Sequence, residues 1–186
     1  MGIKKSGFTF IEMVVVVATI AFALPALFAI IFTILQQQTK IMHLTEAKRE
    51  GDYAMNVMEN LIRGYATKTL TSYQSSTEVC ATTAPSFPVT AQVGGFKNDN
   101  TGATFGFDGS SSKIASQSSV LNANADLTDP TKVTVTGFSM TCTRTNPYSP
   151  PVINIQYDVA YSTTSTRAED ITGKLHYQTA VQMKSY

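Results

Sequence analysis

Gly7-Phe8-Thr9-Phe10-Ile11-Glu12 leads into an uncharged apolar run from Met13 to Leu35. The reading of this stretch decides the rest. The run holds 23 residues. At about 1.5 Å of rise per residue, a helix of that length measures roughly 34 Å, enough to span a bilayer. Lys4 and Lys5 are the only charges ahead of Glu12. Positive charge on this short flank predicts that it stays in the cytoplasm, with everything after Leu35 outside. A cleaved secretory signal fits less well. Its apolar core would be about 7–15 residues with a small-residue cleavage site, and Gln36-Gln37-Gln38 offers none. Glu12 lies just inside the apolar edge. A carboxylate there costs on the order of 2–3 kcal/mol at the forgiving end of the scales, less near the interface. It therefore calls for a partner.

Gly-Phe-Thr-Phe-Ile-Glu resembles the type IV prepilin motif, usually G-F-T-L-I-E. The likeness takes in the basic leader, Gly7, Phe8, the glutamate five positions beyond the glycine, and the long apolar helix; it covers roughly the first 60 residues. Phe10 stands where leucine is usual and Met13 where leucine or valine is common, and both keep apolar bulk. The resemblance implies cleavage between Gly7 and Phe8 by a prepilin peptidase, with Lys4 and Lys5 as leader charge, and methylation of the new Phe8 amino group to N-methylphenylalanine. It implies an assembly role for Glu12. It also implies partners: other pilin or pseudopilin subunits through helix–helix packing, an assembly-platform membrane protein, and the cytoplasmic membrane before assembly.

The chain has 186 residues, 43% of them hydrophobic, and only 15% charged. That suits one domain. Loss of the two leader lysines lowers the formal charge from +1 to −1, so no electrostatic argument for a nucleic-acid partner survives. A polar, weakly charged region rich in Ser and Thr after Thr67 suits an exported protein. Asn-x-Ser/Thr is absent.

Pro25 lies inside the apolar run. It removes one helical hydrogen bond and predicts a kink, which membrane helices tolerate. The pilin resemblance adds a second reading, a helix break at Pro25 in a packed filament. From Gln36 to Tyr65 the pattern becomes amphipathic. Ile41, Leu44, Ala47, Ala54, Met55, Met58, Leu61, Ile62 and Tyr65 recur mostly at spacings of three, four or seven, as one helix face requires. Ala54 to Tyr65 is expected under a sheet, and Gln36 to Asp52 toward neighbours or solvent. Glu46–Glu50 is an unfavourable like-charge pair and Glu59–Arg63 a favourable one. Gly51 weakens the helix by about 1 kcal/mol relative to alanine. Gly64 suggests a helix stop.

Ala66 to Thr131 mixes short apolar runs with turn-rich breakers at Gly94-Gly95, Asn98 to Gly102 and Asp108 to Ser112. It reads as loops with two to four short strands. The end of the chain is clearer. Lys132 to Thr143 alternates with a phase slip at Gly137, which predicts a bulge. Val152 to Tyr161 and Ile171 to Met183 alternate cleanly, and three such strands in sequence predict an antiparallel meander. The odd-numbered face of the last two should lie on the helix. Cys80 and Cys142 are the two cysteines. Outside the cytoplasm they can form a disulfide closing about 60 residues, worth roughly 4 kcal/mol at most. Two buried free thiols are the alternative.

No catalytic constellation is apparent. His43 and His176 lack partners that would make a nucleophilic or zinc site, and each reads as solvent-exposed. Asn98, Asp99, Asn100, Asp108, Asp126 and Asp129 read as turn formers, and no EF-hand loop is present. No cofactor or metal is expected. The expected fold class is α+β, pilin-like, with a leader at 1–7, a membrane and filament-core helix at 8–35, its amphipathic continuation at 36–65 and a β-rich extracytoplasmic head at 66–186. The expected function is a non-enzymatic subunit, a minor one, of a type IV pilus or type II secretion pseudopilus. Such a subunit sits in the cytoplasmic membrane by a single pass and then enters a filament in the periplasm or on the cell surface. The alternative is a signal-anchored extracytoplasmic enzyme or binding protein.

Overall fold

The structure is a computed structural model that describes residues 9–98, 101–120, 123–162 and 173–184. It is α+β. Helix α1 (Phe10–Tyr65) is followed by β1 (Lys68–Leu70), β2 (Glu78–Val79), β3 (Val89–Gln92), β4 (Gly95–Lys97), β5 (Thr104–Asp108), β6 (Ala115–Ser118), β7 (Ala123–Asp126), β8 (Val133–Arg144), β9 (Val152–Tyr161) and β10 (Leu175–Gln182). By contacts the chain divides into two compact units, Met1–Ile41 and Met42–Tyr186.

In the first unit every described residue is exposed. Its threonines return their hydroxyls to the helix: Thr19 Oγ1 donates to the Val16 carbonyl and Thr33 Oγ1 to that of Ala29, both at 2.9 Å. Such back-bonding satisfies both hydroxyls within the apolar run. Pro25 lies inside α1, whose helical assignment continues on both sides. The expected break belongs to a packed filament, which a single chain does not present.

In the second unit the later part of α1 packs on a four-stranded antiparallel sheet of order β10-β9-β8-β3. The expected meander is its β8-β9-β10 portion, with eight residue pairs joining β9 and β10 from Leu175↔Val159 to Gln182↔Val152. Alternation set the faces as the sequence implied. Ile153, Ile155, Tyr157, Val159 and Val181 are buried, while Gln156, His176, Gln178 and Gln182 are exposed. The phase slip in β8 is a bulge. Val133 and Val135 are buried before it and Met140 and Cys142 after it. The register with β9 shifts between Thr136 and Ser139, and Gly137 takes φ +65°, a left-handed conformation that glycine adopts without a Cβ penalty.

The segment 66–131 holds more strands than its composition suggested, seven rather than two to four. Six of them form a second antiparallel sheet of order β2-β1-β4-β5-β6-β7. The chain passes between sheets at Val93 and Gly94: the Val93 amide donates to the Met140 carbonyl in β8, and that of Gly94 to Leu70 in β1. Gly94-Gly95 is thus a sheet switch leading directly into β4, not a break between loops. Phe96, Phe107 and Ile114 of this region share one core with Met58, Ile62 and the β8-β9 residues.

Burial on α1 starts earlier than expected. Ala47 and Gly51 are buried along with Ala54, Met55, Met58 and Ile62, whereas Tyr65 is exposed. The reason is a tyrosine pair on the sheet. The rings of Tyr157 and Tyr177 stack at 5.2 Å. Tyr157 donates its hydroxyl to the Gly51 carbonyl at 2.9 Å, and Tyr177 donates to that of Lys48 at 3.1 Å. Burial raises both phenol pKa values, that of Tyr177 to about 12, with Asp52 adding to the rise. The surrounding charges also settle. Arg49 bridges Glu46 at 2.6 Å and Glu50 at 3.3 Å, and Lys132 reaches Glu46 at 3.5 Å. Glu50 also accepts the Asp129 amide at 3.1 Å. The like-charge pair seen in sequence is therefore neutralised from its own helix and from the sheet side.

Gly51 gives a prediction that reverses its helix propensity. A Cβ there would lie 2.5 Å from the Tyr177 ring. That ring is held by stacking and by its hydroxyl, so it cannot swing away without losing both. Overpacking costs about 1–3 kcal/mol, against about 1 kcal/mol gained in helix propensity. Gly51→Ala is expected to lower the urea midpoint of unfolding, and Gly51→Leu to lower it further. A higher midpoint for the alanine variant would show that the tyrosine pair yields freely.

Candidate functional site

The candidate site is the start of α1. The Thr9 carbonyl accepts the amides of Glu12 at 3.1 Å and Met13 at 3.3 Å, closing the first helical turn. Glu12 lies within this turn and is exposed. A carboxylate is favoured there by the unpaired amides and the dipole of the helix N-terminus. Among the described residues it has no ion-pair partner. Lys4, Lys5, Gly7 and Phe8 lie outside the described residues.

Beyond Glu12 the apolar side chains have no cover within the chain. Phe10 is 85% exposed, Phe22 84% and Phe28 66%. They point to all sides of the helix, since Val14, Val15, Val16 and Val17 in succession are all exposed. A helix that is apolar all round needs a surrounding that is apolar all round, either lipid or other helices. By length and composition α1 is able to cross a membrane.

Cys80 and Cys142 form a disulfide, with Cα atoms 6.4 Å apart and a sequence separation of 62. It joins the end of β2 to β8. Both residues are buried in the shared core.

The remaining polar residues form turns and surface pairs. Asp108 accepts the amide and hydroxyl of Ser110, each at 2.9 Å. Asp126 pairs with Lys113 at 2.8 Å. Asp129 accepts from Thr131 at 2.9 and 2.6 Å, and these bonds are the chief cause of its lowered pKa. Asp99 and Asn100 lie outside the described residues. Among the described residues no three His, Cys, Asp or Glu side chains are grouped to hold a metal.

Of the two histidines, only His43 departs from its reading as solvent-exposed. His176 is exposed, but its Nδ1 lies 2.7 Å from Asp158 on the adjacent strand. His43 is half-buried. Its ring stacks on Tyr161 at 3.9 Å, and its Nδ1 is buried without a hydrogen-bond partner. Both pairings join residues more than about fifteen positions apart, so no local pattern announced them. Arg144 adds one distant partner of this kind: its guanidinium donates to the Cys80 carbonyl as well as to the nearby Pro147 and Ser149 carbonyls.

No protein-family model matches the chain, and no curated protein or solved structure matches it either. The architecture is compatible with a pilin-like fold: one long N-terminal helix, apolar in its first part and packed on an antiparallel sheet in its last.

Proposed function

We propose that this chain is a structural subunit, and a minor one, of a filament of the type IV pilus or type II secretion pseudopilus class. The observation that carries the reading is the pairing of Gly7-Phe8-Thr9-Phe10-Ile11-Glu12 with the uncovered apolar part of α1 that follows it. In this reading a prepilin peptidase cleaves between Gly7 and Phe8 and methylates the Phe8 amine. The subunit waits in the cytoplasmic membrane with its β-rich part outside. An assembly-platform protein then moves it into the filament, where the apolar helices of neighbouring subunits replace lipid. The protein works by packing and carries out no reaction.

Processing is the test. Intact mass of the membrane-extracted protein is expected to correspond to a chain that begins at methylated Phe8. A mature form that keeps Lys4 and Lys5, in cells with an active prepilin peptidase, would instead favour a signal-anchored protein unrelated to filaments.

A further inference from the structure

We propose that a groove beside the disulfide binds an oxyanion, a carboxylate or phosphate group carried by a soluble ligand. The groove has a volume of about 380 Å³ and lies among the first strands of the six-stranded sheet, the turn after Cys80 and the end of β8. That volume is in the range of small-ligand sites.

Arg144 is the reason to read an anion here. It lines the groove and is half-buried. Its Nε–H donates to the Ser149 carbonyl at 2.8 Å, and its two terminal nitrogens donate to Cys80 at 3.0 Å and Pro147 at 3.3 Å. All three acceptors are neutral. They fix the guanidinium plane and leave further N–H groups for a ligand. Among the described residues no carboxylate is within ion-pair distance of it. A cation held partly out of water without a counter-charge is costly until an anion arrives.

The rest of the lining has the same sign. Lys184 is exposed and likewise has no ion-pair partner among the described residues. Lys68 meets Glu78 at 3.6 Å, the single carboxylate of the lining, and both are well exposed. The lining thus carries formal charge +2, on a chain whose whole formal charge is +1. A second groove around Asp108, toward the other edge of the six-stranded sheet, contrasts with it, because there Lys113 and Asp126 answer each other at 2.8 Å.

The site is also built to stay in place. Asn146 Oδ1 accepts the amides of Tyr148 at 2.9 Å and Ser149 at 2.8 Å, which holds the loop that supplies two of the carbonyls on Arg144. The third carbonyl belongs to Cys80, and Cys142 is two residues before Arg144 on β8. The disulfide therefore ties the two walls together. Binding is expected to depend on it, and none of this rests on the filament reading.

The test uses the isotope-labelled full chain in a nonionic detergent, followed by NMR at constant ionic strength. The signals to watch are the Arg144 Nε–H and the amides of Thr82 and Thr83. Inorganic phosphate and galacturonate are the two anionic probes, with neutral galactose as control. Saturable shifts at these three signals with either anion and none with galactose support the site. Which anion saturates at lower concentration assigns phosphate or carboxylate as the carrier chemistry. Lys184→Glu changes an exposed side chain and should preserve the spectrum elsewhere while weakening binding about five-fold or more. Reduction of the disulfide should abolish the shifts. Absence of saturable shifts with both anions overturns the proposal, as does equal affinity in wild type and Lys184→Glu.

Discussion

If the proposed filament role holds, a Glu12→Ala subunit should be cleaved after Gly7 and should fold its β-rich domain, yet enter filaments at roughly a tenth of the wild-type level or less. The expectation follows from charge. Glu12 is exposed in the first turn of a helix that is otherwise apolar through Leu35, and its own chain offers it no cation among the described residues. Cleavage would create a positive amine at Phe8. The first turn beside Glu12 is already closed by the Thr9 carbonyl. A neighbour displaced along the filament axis can present its own amine. At about 4 Å and an effective dielectric near 20 the attraction is roughly 4 kcal/mol, from which desolvation of both charges must be subtracted. The remainder is modest but directional. It would set the stagger at which the apolar faces meet. The measurement is recovery of the subunit in sheared filaments, with processing followed by intact mass in the same cells. Normal recovery of a correctly processed Glu12→Ala subunit would show that no such pairing is needed. Loss of processing itself would make Glu12 a recognition feature for the peptidase.

The second large effect is expected from the Cys80–Cys142 bond. Replacing both residues with alanine should lower the stability of the β-rich domain by up to about 4 kcal/mol, the loop-closure value for a crosslink of this span. For a domain of this size that corresponds to a fall in Tm on the order of 10 °C. Alanine suits the comparison because Cys142 is fully buried, where a serine hydroxyl would need a partner. Unfolding of oxidised, reduced and double-alanine protein should place the last two together. Non-reducing peptide mapping of the protein isolated from cells should recover the two cysteine peptides joined. Free thiols at both positions, or an unchanged midpoint after reduction, would remove the bond from the account of stability.

How much could be read in advance depended on the length of each signal. β9 and β10 alternate over enough residues that their buried faces could be named, and the bulge in β8 announced itself as a change of phase at Gly137. The six-stranded sheet gave no such signal. β1 is Lys-Thr-Leu, β4 is Gly-Phe-Lys opening on a residue that usually breaks strands, and β7 is Ala-Asn-Ala-Asp, a run of poor strand formers. These segments are strands because neighbours pair with them and because Phe96, Phe107 and Ile114 find a shared core. The cysteine pairing was a possibility raised by compartment, and the fold made it definite by bringing positions 80 and 142 together.

The sequence by itself determined the elements whose physics is local. A charge-free apolar run is long enough to cross a bilayer wherever it sits, a 3.6-residue period selects one helix face, and a two-residue period selects one strand face. It also contained the prepilin-like motif on which the functional proposal rests. Only the tertiary structure decided what distant groups mean to each other. It turned Gly51 from a weak point in a helix into the gap that admits Tyr177. It answered the Glu46–Glu50 repulsion with Lys132 from the sheet side, and it brought the Cys80 carbonyl onto Arg144. Those outcomes depend on separations of a few ångströms between residues tens of positions apart, and no periodicity along the chain encodes such distances.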